Sequence, residues 1–354
     1  GRRRDRRRSV VGRAGEAAMT AAAANMDRPR SGARETIGAF ARDNAWTLGL
    51  LGFLAVLLGF TKVVNPNYSL GSLASTATSV LPLALAAVAQ AVVVISGGID
   101  LSISSQMALT SCVAATMMKN YPGEGSAVAI VLGVLLLGVL LGAINGALVV
   151  LTRVPDIVVT LATYFVWAGF ALLVRPAPGG TAAQWLKDLV VGPLGIDLLP
   201  KAAVVLVVIV AVIWIPLSRS RLGLSLYAIG SNPLAAFRSG VAVNRTKLLS
   251  YVITGFVAAL AGLSLTASTG IGTPVPEPTY VLISIGAVVL GGVSLAGGVG
   301  GVFGPVVAVI VLQLIRDDMT FMRVDPNYGL VAQGFILIGV LMAGSFIQMR
   351  RSRA

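Results

Sequence analysis

The chain has 354 residues, of which 56% are hydrophobic and only 12% are charged, and its net charge is +13. Soluble domains carry roughly a quarter charged residues, so this composition excludes a water-soluble fold and predicts an all-α integral membrane protein. The lack of histidine and the single cysteine, Cys112, exclude a His/Cys metal site and an intrachain disulfide. Basic residues collect on the cytoplasmic side of membrane proteins, so we expect them to face membrane lipid and no nucleic acid.

Residues 1–44 differ from the rest of the chain. They hold eleven arginines and five acidic residues, and no apolar periodicity appears before Ala39. This composition predicts a disordered, basic cytoplasmic tail. The run Arg2–Arg8 could contact anionic lipid, but we assign the Arg-rich tail no function.

Residues 45–348 are predicted to form one transmembrane domain, with a short cytoplasmic tail at 349–354. A signal peptide is disfavoured, because the apolar run Ala45–Phe60 is longer than a usual signal core and Lys62–Pro66 is not a cleavage site. Apolar stretches predict about ten transmembrane helices, near 45–60, 80–96, 103–118, 126–151, 156–174, 201–217, 248–268, 280–296, 301–315 and 327–347.

The distribution of charge predicts the orientation of these helices. The amino-terminal tail is basic, and so is the end of the chain, with Arg350, Arg351 and Arg353. Both termini should therefore be cytoplasmic, which requires an even number of spans. The loop Ser218–Lys247, which has five basic residues and no acid, then falls on the cytoplasmic side, and the mixed-charge loops 175–200 and 316–326 fall outside.

The segment Ser96–Ser105, SGGIDLSISS, interrupts an apolar run with two glycines and a carboxylate. Gly97 and Gly98 permit a break in the helix, and Asp100 is flanked closely by apolar spans on both sides. One interpretation is a discontinuous helix beside a translocation path, with Ser102 bonding freed backbone groups. The other is a tight turn at the cytoplasmic surface, where Asp100 caps the next helix.

A sequence similar to part of this segment recurs near the end of the chain. Ala91–Ser102 is AVVVISGGIDLS, and Ala287–Gly298 is AVVLGGVSLAGG, which suggests a weak internal repeat of the kind found in transporters. The stretch Ala287–Gly304 has seven glycines but no phosphate-loop signature, so it predicts a tight turn between packed spans.

A few polar residues interrupt the apolar spans. They could line a pathway for an uncharged, hydroxyl-rich substrate, or each could hydrogen-bond a neighbouring helix. These residues are Gln90, Asn145, Thr160, Thr163 and Gln333.

The basic loop contains a helix-start signal. In Gly230-Ser231-Asn232-Pro233, Ser or Asn can serve as N-cap, and proline suits the first helical position. One or two turns follow and end at Ser239-Gly240. A short capped helix suits docking, although an ordinary connection between two spans is the alternative.

Four stretches resemble the permease family of ribose-type ABC importers, in the family order and over about residues 65–347. They are Ser96–Ser105, Gly142–Thr163 (GAINGALVVLTRVPDIVVTLAT), Arg221–Val241 (RLGLSLYAIGSNPLAAFRSGV) and Ala287–Gly301. The resemblance implies the permease subunit of an ATP-driven importer for a monosaccharide or related small polyol, in a bacterial inner membrane. The residues do not identify the sugar.

The resemblance also implies the partners. A separate ABC ATPase would bind ATP and Mg, an extracytoplasmic sugar-binding protein would deliver substrate, and a second permease chain would complete the pathway. This chain would have neither a cofactor nor enzymatic activity of its own. The coupling helix seated in the ATPase would comprise Ser231, Asn232, Pro233, Leu234, Ala235, Ala236, Phe237 and Arg238.

One departure and two alternatives qualify this assignment. Family members commonly have an acidic pair just after a tyrosine, whereas Tyr280 is followed by Val-Leu-Ile-Ser and the nearest acid is Glu277. A heterodimer with a different permease chain is therefore a hypothesis beside the homodimer. A proton- or sodium-coupled secondary transporter is the alternative function, for which Asp100 would be the ionisable group. A membrane enzyme is disfavoured because no acid–base constellation can be assembled.

Overall fold

A computed structural model describes residues 45–275, residues 278–325 and eight scattered positions between 328 and 342. The predicted tails at 1–44 and 349–354, Glu277 and Gln333 lie outside the described residues. The described residues from Gly49 onward form one compact unit.

The described part of the chain is helical apart from one short antiparallel ribbon. The helices are α1 (Ala45–Val64), α2 (Leu70–Ile95), α3 (Ile103–Asn120), α4 (Glu124–Thr152), α5 (Asp156–Val174), α6 (Gln184–Val190), α7 (Lys201–Arg219), α8 (Arg221–Ser231), α9 (Pro233–Arg238), α10 (Val243–Thr269), α11 (Pro278–Leu290) and α12 (Phe303–Phe321). The ribbon pairs β1 (Pro193–Leu194) with β2 (Ile196–Pro200).

Helix α2 lies at the centre of the bundle, and every residue from Val80 to Ile95 is buried. Most of these side chains are alanine or valine, so neighbouring helices can approach closely. Helices α7, α10, α11 and α12 pack around α2, and α3 follows it directly. Helix α3 is also buried along most of its length, although it is rich in Ser and Thr. The polar segment between α2 and α3 is therefore enclosed by protein.

Glycines bring α4 and α10 together. A Cβ at Gly142 would overlap the carbonyl oxygen of Tyr251, and one at Gly138 would overlap Ala259 Cβ. Close backbone packing of this kind stabilises helix pairs in lipid, where hydrophobic burial supplies no drive between helices. Gly133 faces open space and takes no part in this contact.

Six described helices are long and apolar enough to cross a membrane: α1, α2, α4, α5, α7 and α10. Helix α11 is apolar but has only 13 residues. Helices α3 and α12 have spanning length, but Ser, Thr, Gln and charged residues lower their hydropathy. The count of ten spans therefore stays a prediction, since most of 327–347 lies outside the described residues.

Several predicted boundaries were wrong. Helix α2 begins at Leu70, ten residues before the predicted start, because Ser75 and Thr78 bond their own helix carbonyls and are compatible with the helix despite their polarity. Helix α12 continues to Phe321 through part of the predicted loop 316–326. There Asp317 accepts hydrogen bonds from Thr76 and Gln313, so a carboxylate is accommodated at the end of the helix.

Candidate functional site

Helix α2 ends at the two glycines of the SGGIDLS segment. The Gly98 N–H donates to Val93 O at 3.0 Å, and the Gly97 N–H donates to Val94 O at 2.8 Å. Gly97 has φ +75°, so this is a Schellman motif with glycine in the left-handed position. The backbone then runs irregularly to Ser102 before α3 begins. We refer to Ser96–Ser102 as the hinge loop.

The hinge loop buries a carboxylate completely. Asp100 is 0% exposed, and its Oδ1 accepts hydrogen bonds from the Ser102 N–H at 2.8 Å and the Ser102 hydroxyl at 2.6 Å. Gln106 Nε2 lies 3.4 Å from Asp100 Oδ2. Within the described residues Asp100 forms no ion pair, so hydrogen-bond donors alone balance the carboxylate. Asp100 forms a local turn just before α3; the N-cap of that helix is Ser102, which makes no side-chain cap bond.

The Ser102 hydroxyl connects three elements. It donates to Asp100 and accepts from Gln106 Nε2 and from Asn145 Nδ2, each at 2.8 Å. Asn145 lies on α4, so this bond ties the hinge loop to a neighbouring helix. The structure thus brings Asp100, Ser102 and Asn145 together. Gln106 was missed from the sequence; its position one turn after Ser102 in a polar helix start was the available signal.

The Thr160 side chain of α5 hydrogen-bonds the backbone of the same loop. Its hydroxyl accepts from the Leu101 N–H at 3.1 Å and lies 3.2 Å from Ile99 O. Thr163 only donates to Thr160 O within its own helix. Irregular backbone at this depth needs partners from protein, and Thr160 supplies them.

Gln90 does not join this cluster. It lies on α2, is 0% exposed, and neither its amide nitrogen nor its amide oxygen has a hydrogen-bond partner among the described residues. A buried amide without partners costs about 1–3 kcal/mol, so it needs a reason to be there.

An ion pair that the sequence analysis missed borders the hinge loop. Lys247 Nζ of α10 lies 2.7 Å from Asp156 Oδ2 of α5 and 3.4 Å from Ser96 O. Gly98 packs directly on the pair: a Cβ there would overlap Asp156 Oδ2 and would lie 2.8 Å from Lys247 Nζ. No local pattern links two residues so far apart in sequence.

The predicted short helix forms within the basic loop, as α9. Asn232 is its N-cap, accepting from the Ala235 N–H at 2.9 Å, and Pro233 occupies the first turn. Leu234 and Phe237 are exposed by 59% and 67%. Ser231, expected in this helix, is instead the last residue of α8.

This geometry is that of a helical membrane protein with a polar, enclosed loop and an exposed short helix at the same end. The family model for the permease component of branched-chain amino acid transport systems matches residues 72–341. The chain belongs to this permease family. It is therefore a multi-pass inner-membrane protein and a transport subunit of an ABC importer rather than an enzyme. Permeases of this kind work with an ATPase and a substrate-binding protein.

Named relatives of this permease match over nearly their whole length. The ribose import permease protein RbsC of Haemophilus influenzae is 28% identical over 302 residues, which is 84% of this chain and 93% of that protein. RbsC of Escherichia coli K12 is 29% identical over 303 residues, covering 83% and 92%. The autoinducer 2 import system permease protein LsrD of E. coli K12 is 28% identical over 314 residues, covering 87% and 94%. No solved structure matches.

Family membership decides between the two functions that the sequence left open. The match to ABC importer permeases does not favour the alternative of a proton- or sodium-coupled secondary transporter. Asp100 is buried among hydrogen-bond donors from Ser102 and Gln106.

Proposed function

We propose that this permease imports a monosaccharide or a related small polyol. The observation that carries the proposal is the similarity to ribose import permeases over 92–93% of their lengths. An uncharged, hydroxyl-rich substrate also agrees with the polar groups of the central helices, which are mostly amides and hydroxyls. A hydroxyl both donates and accepts, so such groups can bind it without a buried charge.

Helix α9 is proposed as the coupling helix that docks on the cytoplasmic ABC ATPase. Its capped ends make it rigid, and the exposed Leu234 and Phe237 offer an apolar contact. Arg238 and the other basic residues of the loop favour the cytoplasmic side, as do both termini. ATP and Mg would bind in the partner, with no cofactor in this chain.

Gln90 is the proposed substrate contact in the translocation path. Its unpartnered amide would be satisfied when a substrate hydroxyl reaches it in another state of the transport cycle. The hinge loop, with Gly97, Gly98, Asp100 and Ser102 pinned by Asn145 and Thr160, would close the cytoplasmic end of that path.

The remaining partners are proposed as an extracytoplasmic sugar-binding protein and a second permease chain. A homodimer and a heterodimer both stay open. The lack of an acidic pair after Tyr280 supports a heterodimer, in which the other chain would supply those carboxylates.

Purification of the tagged chain from its native membrane in mild detergent tests these proposals. We expect an ABC ATPase to co-purify, and a different permease chain would establish the heterodimer. The complex, reconstituted with its binding protein, should accumulate at least one of radiolabelled ribose, xylose, galactose or inositol only when ATP is supplied on the ATPase side. Uptake without ATP, driven by a proton or sodium gradient, would refute the proposed function.

A further inference from the structure

Three backbone segments meet without side chains between them at the end of the bundle that carries α9. They are the end of α2, the end of α8 and the loop 291–302 that follows α11. The Gly298 N–H donates to Ile95 O at 2.9 Å. A Cβ at Gly230 would overlap Ile95 O, and a Cβ at Gly297 would lie 2.8 Å from Gly97 Cα and 3.0 Å from Gly230 Cα. We call these residues, Gly97, Gly230, Gly297 and Gly298, the glycine junction.

Helices α2 and α11 end alike. Helix α11 closes with Gly292 at φ +84°, the Val293 N–H donating to Val288 O at 3.0 Å and the Gly292 N–H to Val289 O at 2.9 Å. This is the Schellman motif seen at Gly97. The internal similarity thus has a structural counterpart, although Gly97 corresponds to Gly292, one residue away from the alignment of Ala91 with Ala287. The end of α2 and the loop that follows α11 therefore both contact one element, the end of α8.

Helix α8 is joined directly to α9. Asn232 is both the C-cap of α8 and the N-cap of α9, so no flexible linker separates them. Farther back on α8, the Tyr227 hydroxyl donates to Gly300 O at 2.6 Å. A displacement of α9 should therefore also displace Gly230 and Tyr227, because only Asn232 separates the two helices.

We propose that the glycine junction transmits movement of α9 to the end of α2 and to the loop that follows α11 together, and through Gly98 to the Lys247–Asp156 pair. This inference rests on the proposed docking of the ATPase on α9. A side chain can change rotamer when its neighbour moves, but backbone atoms in direct contact cannot. A shift of one segment must therefore displace the others. Gly97 contacts Gly230 on one side, and the adjoining Gly98 contacts the ion pair on the other. The hinge loop would be the two-state element that such coupling requires.

The test measures movement of the loop 291–302 in the assembled importer. Val299, which is 60% exposed, is replaced by Cys in a Cys112→Ala background, and its maleimide labelling rate is measured with and without a non-hydrolysable ATP analogue. In this reporter we expect the analogue to change the rate by about fivefold or more, the low end of usual coupling factors. An unchanged rate would overturn the proposal.

Gly230→Ala in the same reporter should abolish that change while the ATPase still co-purifies and hydrolyses ATP. Gly169→Ala is the matched control, since Gly169 is also a helical glycine but has nothing within 4 Å of an added Cβ, and it should keep the full change. A Gly230→Ala complex that retains the response would refute transmission through the junction.

Tyr227→Phe gives a milder test, in case Gly230→Ala prevents folding. It removes only the bond to Gly300 O and should reduce the ATP-dependent change at least about twofold, the least that one neutral hydrogen bond is worth. An undiminished response would count against the proposal. A photo-cross-linker at Phe237 distinguishes failure of the proposed docking on α9 from failure of the glycine junction. If no cross-link to the ATPase forms, the proposed docking on α9 is wrong. If the cross-link forms but the Val299→Cys reporter does not respond, only the junction proposal is refuted.

Discussion

Removing the Ser102 hydroxyl should destabilise the permease more than removing any neighbouring hydroxyl. Ser102→Ala deletes three hydrogen bonds at once and leaves the buried amides of Gln106 and Asn145 and the Asp100 carboxylate short of a partner. Each buried group left unsatisfied costs about 1–3 kcal/mol. Because Gln106 and the Ser102 N–H still face Asp100, we expect a total loss of about 2–4 kcal/mol.

Ser105→Ala is the matched control. Ser105 is equally buried and lies one turn into the same helix, but its hydroxyl only donates to Ser102 O within the chain segment. Its loss should cost about 0.5–1 kcal/mol. For a chain this long each kcal/mol lowers the melting temperature by about 2 °C or less, so Ser102→Ala should melt about 3–6 °C below wild type and Ser105→Ala within about 2 °C. The melting temperature is measured by size-exclusion chromatography after heating. Equal melting temperatures for the two variants would refute the claim that the Ser102 hydroxyl stabilises the fold through three hydrogen bonds.

Four further outcomes are expected. Asp100→Asn should keep ATP-driven uptake in proteoliposomes within a few fold, because the amide oxygen can still accept from the Ser102 backbone; loss of uptake in an assembled complex would contradict a structural role. Gln90→Leu should raise thermal stability, by about 1 kcal/mol or more, yet slow uptake, since it removes an unpartnered buried amide; unchanged uptake would exclude Gln90 from the path. Lys247→Asp should slow ATP-driven uptake, and adding Asp156→Lys should restore more than half of the lost rate; no recovery in the double variant would mean that the pair does not act as a unit. Ala235→Glu, on the exposed face of α9, should leave ATP hydrolysis but abolish uptake, whereas normal uptake would argue against α9 as the coupling helix.

Local sequence signals predicted the parts of the site that are built locally. The pair Asn232-Pro233 starts α9 where its capping chemistry indicated, and Gly97-Gly98 end α2 because the left-handed residue of a Schellman motif favours glycine. The overall helical architecture followed from hydropathy. The start of α2 was missed because the Ser and Thr residues of its first turns lower the mean hydropathy without weakening the helix.

Contacts between distant residues carried no such signal. Asn145 was selected only as a polar residue in an apolar span, and nothing in its neighbourhood indicated Ser102 as its partner. The approach of Lys247 to Ser96, 151 residues away, depends on how α10 packs on α2. The glycine junction likewise brings together three segments that are distant in sequence, and no local pattern marks their glycines as neighbours. Packing geometry, which sequence pattern alone leaves open, decides which polar groups meet.

The two sides of the hinge loop differ in the kind of contact that holds them, and this difference predicts where the loop moves. On the α8 side the loop is held by steric contacts between backbones. Such contacts resist compression, so the segments on this side move together. On the side of α4, α5 and α10 the loop is held by hydrogen bonds worth about 1 kcal/mol each and by one ion pair whose side chains are 16% and 20% exposed. ATP-driven movement of α9 should therefore break the hydrogen bonds and the ion pair to α4, α5 and α10 and preserve the backbone contacts with α8. Variants of Asn145, Thr160 or Lys247 should shift the balance between closed and open states while uptake stays tied to ATP hydrolysis, whereas variants of Gly230 should uncouple the two. If Asn145→Ala uncouples hydrolysis as fully as Gly230→Ala does, the hinge loop does not move as this asymmetry requires.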